Sequence, residues 1–327
     1  MRPSASSRRK HSARFPAFSP HRFSHASEGR FHRSPTAPMR RSTRHARWSF
    51  SSGRGSGALK SAGGRYFSAI GCLMVVLGGL LPAPMLTAVV CGLGNAAFHI
   101  GGGADVMAVT EGAKYLGIYV SPGAMGIFLG ALASRAGRSL AAFAACLMLA
   151  CAVAIMTCCK DGAGPGSPEL PRGREQWLRL MSLLTVVVLR SYGGVIMSFP
   201  WKTGAWAWIA ALCVVGGKCI GGFASDRFGE VRSATVTLSA AAAALIFSAF
   251  PLPGALGLLL FNMSMPVTLY AARDILREGR ATAFGLLTLG LFLGMLPAFS
   301  GASGSGQDYA MICLISIMLI RVGVGKR

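Results

Sequence analysis

The chain has 327 residues, of which 52% are hydrophobic and only 13% are charged, and its formal net charge is +22. A soluble chain of this length needs far more polar residues to cover its surface. The composition, with 43 glycines, therefore excludes an ordinary soluble globular protein and favours a polytopic membrane protein.

The first segment, residues 1–65, is basic, rich in serine and proline, and without apolar periodicity. Such a segment cannot bury enough apolar surface to offset its ordering entropy, which predicts disorder. Three interpretations stay open: a basic cytoplasmic tail beside anionic membrane lipids, an Arg- and Ser-rich targeting peptide, or sequence that is not native to the fold. We expect no nucleic-acid binding, because basic charge without a folded scaffold is a weak signal for it.

From residue 66 onward, apolar runs of about 16 to 23 residues recur, which is the length that crosses a ~30 Å hydrocarbon core. Ten spans are predicted, at 67–83, 85–100, 115–134, 139–158, 177–199, 203–224, 233–250, 254–272, 282–300 and 308–325. Several connections are very short, as in antiparallel helical hairpins. We therefore predict an all-α polytopic membrane protein with about ten transmembrane helices.

The cations in the connections are distributed unequally between the two sides of the membrane. Beyond the basic segment, thirteen lysines and arginines fall on the side that holds both termini, against three on the opposite side. The positive-inside rule then predicts that both termini are cytoplasmic.

One charged segment between two spans carries the pattern Gly222-x-x-x-Asp226-Arg227-x-Gly229-x-x-Arg232, here called the Asp-Arg motif. Gly222 permits close helix approach, Asp226 is able to accept hydrogen bonds from a nearby helix N-terminus, and Gly229 permits a tight reversal. Arg227 and Arg232 are placed to hold an inner gate electrostatically and to contact anionic lipid headgroups. The alternative is a short polar turn that obeys the positive-inside rule.

The Asp-Arg motif resembles the signature loop of the major facilitator superfamily, which in that family follows the second helix of each six-helix half. Four predicted spans follow the motif, as the resemblance requires, but six instead of eight precede it. The resemblance therefore covers residues 66–327 and implies that the first two helices are missing. It predicts an incomplete bundle of four spans at 66–159, a cytoplasmic loop at 160–176 and a bundle of six spans at 177–327.

A second segment, with Asn95, Phe98 and His99 before the glycine run 101–103, resembles the fourth helix of bacterial facilitator proteins related to the fosmidomycin-resistance type. Asn95 and His99 are spaced i, i+4, so they share a helix face and are candidates to line a polar cavity. In the alternative interpretation, His99 bonds a backbone carbonyl and the glycine run ends the helix.

Ionisable residues inside a span are costly and are functional candidates by default. Arg190 lies in the middle of the span 177–199, which by the resemblance lines the central cavity, and is a candidate for substrate binding or gating; a structural pair is the alternative. Lys218 is a second candidate. No span centre carries an acid, so the counter-charge of Arg190 is either an anionic solute or an acid on the missing helices. Asn262 is predicted to be a cavity donor or an interhelical hydrogen-bonding group.

Three pairs of glycines are spaced i, i+4 within the predicted spans. This spacing is typical of faces on which helices pack closely in membranes. The pairs are Gly126 with Gly130, Gly217 with Gly221, and Gly290 with Gly294.

The resemblance implies a secondary transporter of a small organic solute that works by alternating access, with efflux favoured, as a monomer in a bacterial inner membrane. We predict no enzyme activity, cofactor or metal site, because no cluster of carboxylates, histidines or nucleophiles marks one membrane face and the nine cysteines lack zinc-ligand spacing. Two alternatives stay open: a truncated, inactive remnant, and a ten-span drug/metabolite-type transporter, which is expected to repeat at five spans and to lack the Asp-Arg motif.

Overall fold

The computed structural model describes residues 63–135, 141–159 and 168–325. Within these ranges all regular structure is helical, which confirms the predicted all-α class. The helices are α1 (Gly64–Gly79), α2 (Pro84–Val109), α3 (Ala113–Arg135), α4 (Ala141–Cys158), α5 (Arg174–Ile196), α6 (Gly204–Phe228), α7 (Glu230–Ile246), α8 (Pro251–Asn262), α9 (Met265–Ile275), α10 (Arg280–Met295) and α11 (Gly306–Val324), with a 3₁₀ segment at Leu296–Ser300. The prediction for the basic segment concerns residues that lie almost entirely outside these ranges, and residues 160–167 of the predicted loop also lie outside them. Both predictions stay predictions, as does the division into two bundles.

Seven helical stretches in the described part of the chain are long and apolar enough to cross a membrane. They are α2, α3, α5, α6, α8 with α9, α10 with the 3₁₀ segment, and α11. The other three predicted spans fall on the shorter helices α1, α4 and α7. Each predicted span thus falls on one helix or, at 254–272, on two consecutive helices, and the chain is an all-α polytopic membrane protein.

Helix α2 continues through the glycine run 101–103 to Val109, so the interpretation in which these glycines end the helix is wrong. The glycines let neighbouring helices approach: a Cβ atom on Gly101 would lie 2.5 Å from the carbonyl oxygen of Gly64 in α1. On Gly103 it would lie 2.5 Å from the ring of Phe284 in α10. These contacts outweigh the low helix propensity of glycine, which costs about 1 kcal/mol per residue relative to alanine.

The predicted span 254–272 is interrupted between α8 and α9, at Met263 and Ser264. Pro266 explains the interruption, because proline has no N–H to donate to the carbonyl of Asn262, four residues earlier. This break lies beside Arg190 of α5, whose guanidinium bonds to Ser264.

Two of the three predicted glycine faces are packed closely. Gly217 and Gly221 lie against the backbone of α8 and of the residue that follows it, and Gly290 and Gly294 lie against α5. A Cβ atom on Gly126 or Gly130 would meet nothing within 4 Å among the described residues, so for this pair the prediction is wrong. The C-terminal half of α3, residues 122–135, contains no buried residue.

Candidate functional site

The Asp-Arg motif is almost entirely helical, and the predicted charged loop reduces to one residue. Helix α6 ends at Phe228 and α7 begins at Glu230, with Gly229 between them at φ 86° and ψ 149°. Only glycine adopts such a conformation readily, because a Cβ atom clashes with the backbone at positive φ. We call the end of the helices that carries this turn the motif face.

Asp226, in the last turn of α6, binds the beginning of another helix. Its Oδ1 accepts a hydrogen bond from the backbone N–H of Ala113 at 2.7 Å, and its Oδ2 accepts one from Lys114 at 3.2 Å. These amides are the first two of α3, which have no partner within their own helix. A carboxylate at this position also interacts favourably with the positive end of the helix dipole.

Two glycines make this approach of α6 to α3 possible. A Cβ atom on Gly222 would lie 2.6 Å from the Cα atom of Lys114 and 2.7 Å from the carbonyl oxygen of Ala113. Gly112, with φ 136°, precedes α3, and a Cβ atom there would lie 2.7 Å from Oδ2 of Asp226. Any larger residue at either position separates the carboxylate from the helix N-terminus.

The two arginines of the motif, Arg227 on α6 and Arg232 on α7, are exposed at the motif face. Their positions are compatible with contact to lipid headgroups. Their role as gate residues stays a prediction.

Arg190 is a buried cation, with 7% of its surface exposed. Its Nη1 donates to the hydroxyl of Ser264 at 3.4 Å, and its Nη2 donates to the hydroxyl of Thr268 at 3.2 Å. The two hydroxyls donate in turn to backbone carbonyls, Ser264 to Phe261 at 2.9 Å and Thr268 to Met265 at 2.8 Å. The cation of α5 is thereby held against the break between α8 and α9.

The charge of Arg190 is not neutralised within the described part of the chain. No described carboxylate oxygen lies within 4.0 Å of its guanidinium nitrogens, and its two hydrogen bonds are to neutral hydroxyls. Lys218 on α6 is near enough for its charge to repel that of Arg190, and it also repels the protonated form of His99 on α2. Arg190 and Lys218 are therefore two basic groups, on α5 and α6, whose charges interact.

His99 lies in an aromatic cluster formed by three helices. Its ring stacks against Phe284 of α10 at 6.4 Å between centroids and meets Tyr119 of α3 edge-on at 6.3 Å. The hydroxyl of Tyr119 donates to the carbonyls of Phe98 and His99, at 3.4 and 3.3 Å. The structure thus places the imidazole at an interhelical contact.

The two predicted asparagines are less directly involved. The amide of Asn262 donates to the carbonyl of Leu258 in its own helix at 2.8 Å, next to Gly217 of α6. Asn95 shares a face of α2 with His99 but is exposed. Neither forms a side-chain hydrogen bond to Arg190.

Sequence reasoning named Arg190 but did not assign Thr268 and Tyr119 to the site. A buried arginine needs several acceptors, and hydroxyls spaced i, i+4 at positions 264 and 268 are a detectable signal for them. Tyr119 carries no such signal, because its partners are backbone carbonyls of another helix.

No family model matches this sequence, and no curated protein matches it significantly. Solved structures do match its fold. One is the fucose:proton symporter FucP of Escherichia coli, with a TM-score of 0.55 and 14% identity over 80% of this chain and 83% of that chain. Another is FucP, described as a major facilitator superfamily transporter in the outward conformation, with a TM-score of 0.54 and 15% identity over 80% and 82% of the two chains.

These likenesses show the fold of the described helices: the chain is an all-α polytopic membrane protein with the architecture of major facilitator transporters. The expected resemblance is confirmed at the level of the fold. At 14–15% identity, neither the subtype nor the solute follows from it.

Proposed function

We propose that the chain is a secondary active transporter that moves a small organic anion across a membrane by alternating access. The observation that carries this proposal is Arg190, a buried cation without a carboxylate partner among the described residues, beside a broken helix in a major facilitator fold. Burying a charge without its counter-charge is expensive, so such a residue in a span marks a solute path by default.

The anionic character of the solute is supported by the second cation. Lys218 and Arg190 repel each other, and an anion bound near both relieves that repulsion. His99, which titrates near neutral pH when exposed, is the candidate for proton coupling.

Outward transport is proposed from the resemblance of the segment around Phe98 and His99 to fosmidomycin-resistance-type proteins. In this proposal the protein works as a monomer in a bacterial inner membrane with both termini in the cytoplasm. The bonds from Asp226 to α3 then hold the cytoplasmic side together and break when that side opens.

The test is reconstitution of the full chain in liposomes, with uptake measured for anionic, neutral and cationic organic solutes of similar size. We expect transport of an anion, and we expect Arg190→Gln to reduce it about tenfold or more while Arg190→Lys retains part of it. Arg321→Gln, a change to an exposed arginine at the end of α11, is the matched control and leaves transport unchanged. Equal transport by wild type and Arg190→Gln, with both inserted correctly, contradicts the proposal.

A second candidate is an incomplete transporter that needs two further membrane helices. The observation that favours it is the glycine face in the C-terminal half of α3, where a Cβ atom on Gly123, Gly126 or Gly130 would meet no described residue within 4 Å. This candidate predicts that the chain inserts but transports no solute, and that addition of two apolar spans before residue 66 restores transport. Translation of the upstream DNA in all frames tests whether such spans exist.

A further inference from the structure

A cavity of about 410 Å³ opens at the motif face, beside α2, α9 and α10. It is lined by Met107, Ala108, Glu111, Tyr270, Arg273, Asp274, Arg277 and Arg280. The Asp-Arg motif contributes none of these residues. The cavity adjoins the turn around Asp226, because Glu111 and Tyr270 also line a second cavity that contains Asp226 and Gly229, but it includes none of the residues that contact Arg190.

The lining is rich in guanidinium groups. Three arginines face two acids, Glu111 and Asp274, so the cavity carries a net positive charge. Arg280 is the first residue of α10, and the positive end of that helix adds to the charge of its side chain. The negative end of the α9 dipole, at the C-terminus of that helix, is compensated by Arg273 in the last turn of α9.

Two guanidinium nitrogens of this lining lack an acceptor. Nη1 of Arg273 and Nε of Arg280 are buried from solvent and have no hydrogen-bond partner among the described residues. The rest of each side chain is held in place: the guanidinium of Arg273 lies over the ring of Tyr270 at 5.2 Å, and Nη1 of Arg280 donates to the carbonyl of Arg277 at 3.3 Å. Buried charged donors are rarely left without an acceptor, because the loss of their hydration is then uncompensated.

We propose that this cavity binds a phosphate group. A phosphate has several strong acceptor oxygens and accepts the planar fork of arginine in a bidentate way, so one phosphate is able to serve more than one guanidinium. It also supplies the negative charge that the lining lacks. The group belongs either to the headgroup of an anionic lipid of the cytoplasmic leaflet or to a soluble phosphate.

A phosphate here joins the end of α9 to the beginning of α10, next to the C-terminal end of α2. Because it binds only the folded arrangement of these helices, it stabilises that arrangement by mass action. The proposed site is thus a stabilising or regulatory anion site at the motif face, distinct from the path of the transported solute.

The test uses the purified full chain in detergent and phosphate-free buffer, with unfolding followed by tryptophan fluorescence. We expect inorganic phosphate to raise the Tm of the wild type, while chloride at the same ionic strength does not. The double variant Arg273→Gln/Arg280→Gln is expected to need about tenfold more phosphate for half of the effect. Arg321→Gln removes one exposed cation that does not line the cavity and keeps the wild-type response.

A second arm identifies the source of the phosphate. The Tm of the protein in phosphatidylglycerol vesicles is compared with its Tm in phosphatidylcholine vesicles. If the Tm is higher in phosphatidylglycerol and the double variant loses this difference, the site binds a lipid headgroup. If the double variant does not fold, Arg280→Lys is used instead, because it keeps the charge but removes the planar guanidinium that binds phosphate in a bidentate way. A weaker effect of phosphate on the Tm of this variant supports the site. No response of the wild type to phosphate or phosphatidylglycerol, or an unchanged response in the variants, overturns the proposal.

Discussion

Asp226 belongs to α6, yet both of its carboxylate oxygens accept hydrogen bonds from the first backbone amides of α3. Such amides are normally capped by a residue of their own helix, immediately before the first turn. Here the capping group comes from a position 113 residues later in the chain. The carboxylate is therefore a cap and an interhelical connection at the same time.

We predict that Asp226→Asn weakens the connection between α6 and α3. The asparagine side chain keeps one acceptor oxygen, but it is uncharged and turns its NH₂ group toward the second backbone N–H of α3. The expected loss is about 1–2 kcal/mol of stability. A lower Tm and an altered transport rate in liposomes are the measurements.

The matched control is Asp308→Asn. Asp308 accepts from the backbone N–H of Ser305 at 2.8 Å, but both residues belong to the beginning of α11. This variant is expected to lose stability without a change in transport. If the two variants affect transport equally, the interhelical role of Asp226 is wrong.

At the scale of helices, the break between α8 and α9 is stabilised by hydrogen bonds from a side chain of α5. Pro266 removes one backbone bond at the break, and Arg190 binds the hydroxyls at positions 264 and 268 on either side of the first turn of α9. The position of the break and the position of the cation are therefore coupled.

We predict that Thr268→Val destabilises the protein by about 1–3 kcal/mol, because the change keeps the shape but removes an acceptor from a buried guanidinium. If Arg190 binds the solute, the same variant changes the KM for transport, since the orientation of the cation changes. Thermal unfolding and initial uptake rates measure the two effects.

Thr237→Val on α7 is the control for this prediction. The hydroxyl of Thr237 is also buried, but it donates only to carbonyls of its own helix, Ser233 at 2.8 Å and Ala234 at 3.4 Å. Its replacement is expected to leave the KM unchanged. An equal shift in KM for both variants contradicts the coupling of Thr268 to Arg190.

These helices also indicate how far sequence alone predicts such a fold. The length of apolar runs is a local property, and it placed all ten spans on helices. The continuation of α2 through its glycine run depends on contacts with distant residues, such as Phe284 beside Gly103. The buried cation at position 190 is visible in the sequence as a charge in an apolar run, whereas its partner Thr268 lies 78 residues away and on another helix.

At the scale of the whole molecule, packing between helices is uneven along the membrane normal. Near the motif face α6 meets α3 through Asp226, and α10 meets α2 through Phe284 and Gly103. Toward the other end, α3 carries three glycines at which a Cβ atom would meet nothing within 4 Å in the described part of the chain. Small residues of this kind permit close helix packing in membranes. The glycine surface of α3 is therefore either exposed to lipid or covered by helices additional to those described.

Gly126→Leu distinguishes these two arrangements. In the chain alone the added side chain meets only lipid, so we predict an unchanged Tm. In a longer protein with two apolar spans before residue 66, the same substitution is predicted to lower the Tm if those spans pack on α3, because the helices can no longer approach closely. Gly221→Leu is the positive control, since a Cβ atom there would already meet the backbone of Met263, and it is expected to destabilise both proteins. An unchanged Tm for Gly126→Leu in the longer protein, with a lowered Tm for Gly221→Leu, would show that the added spans do not cover this face.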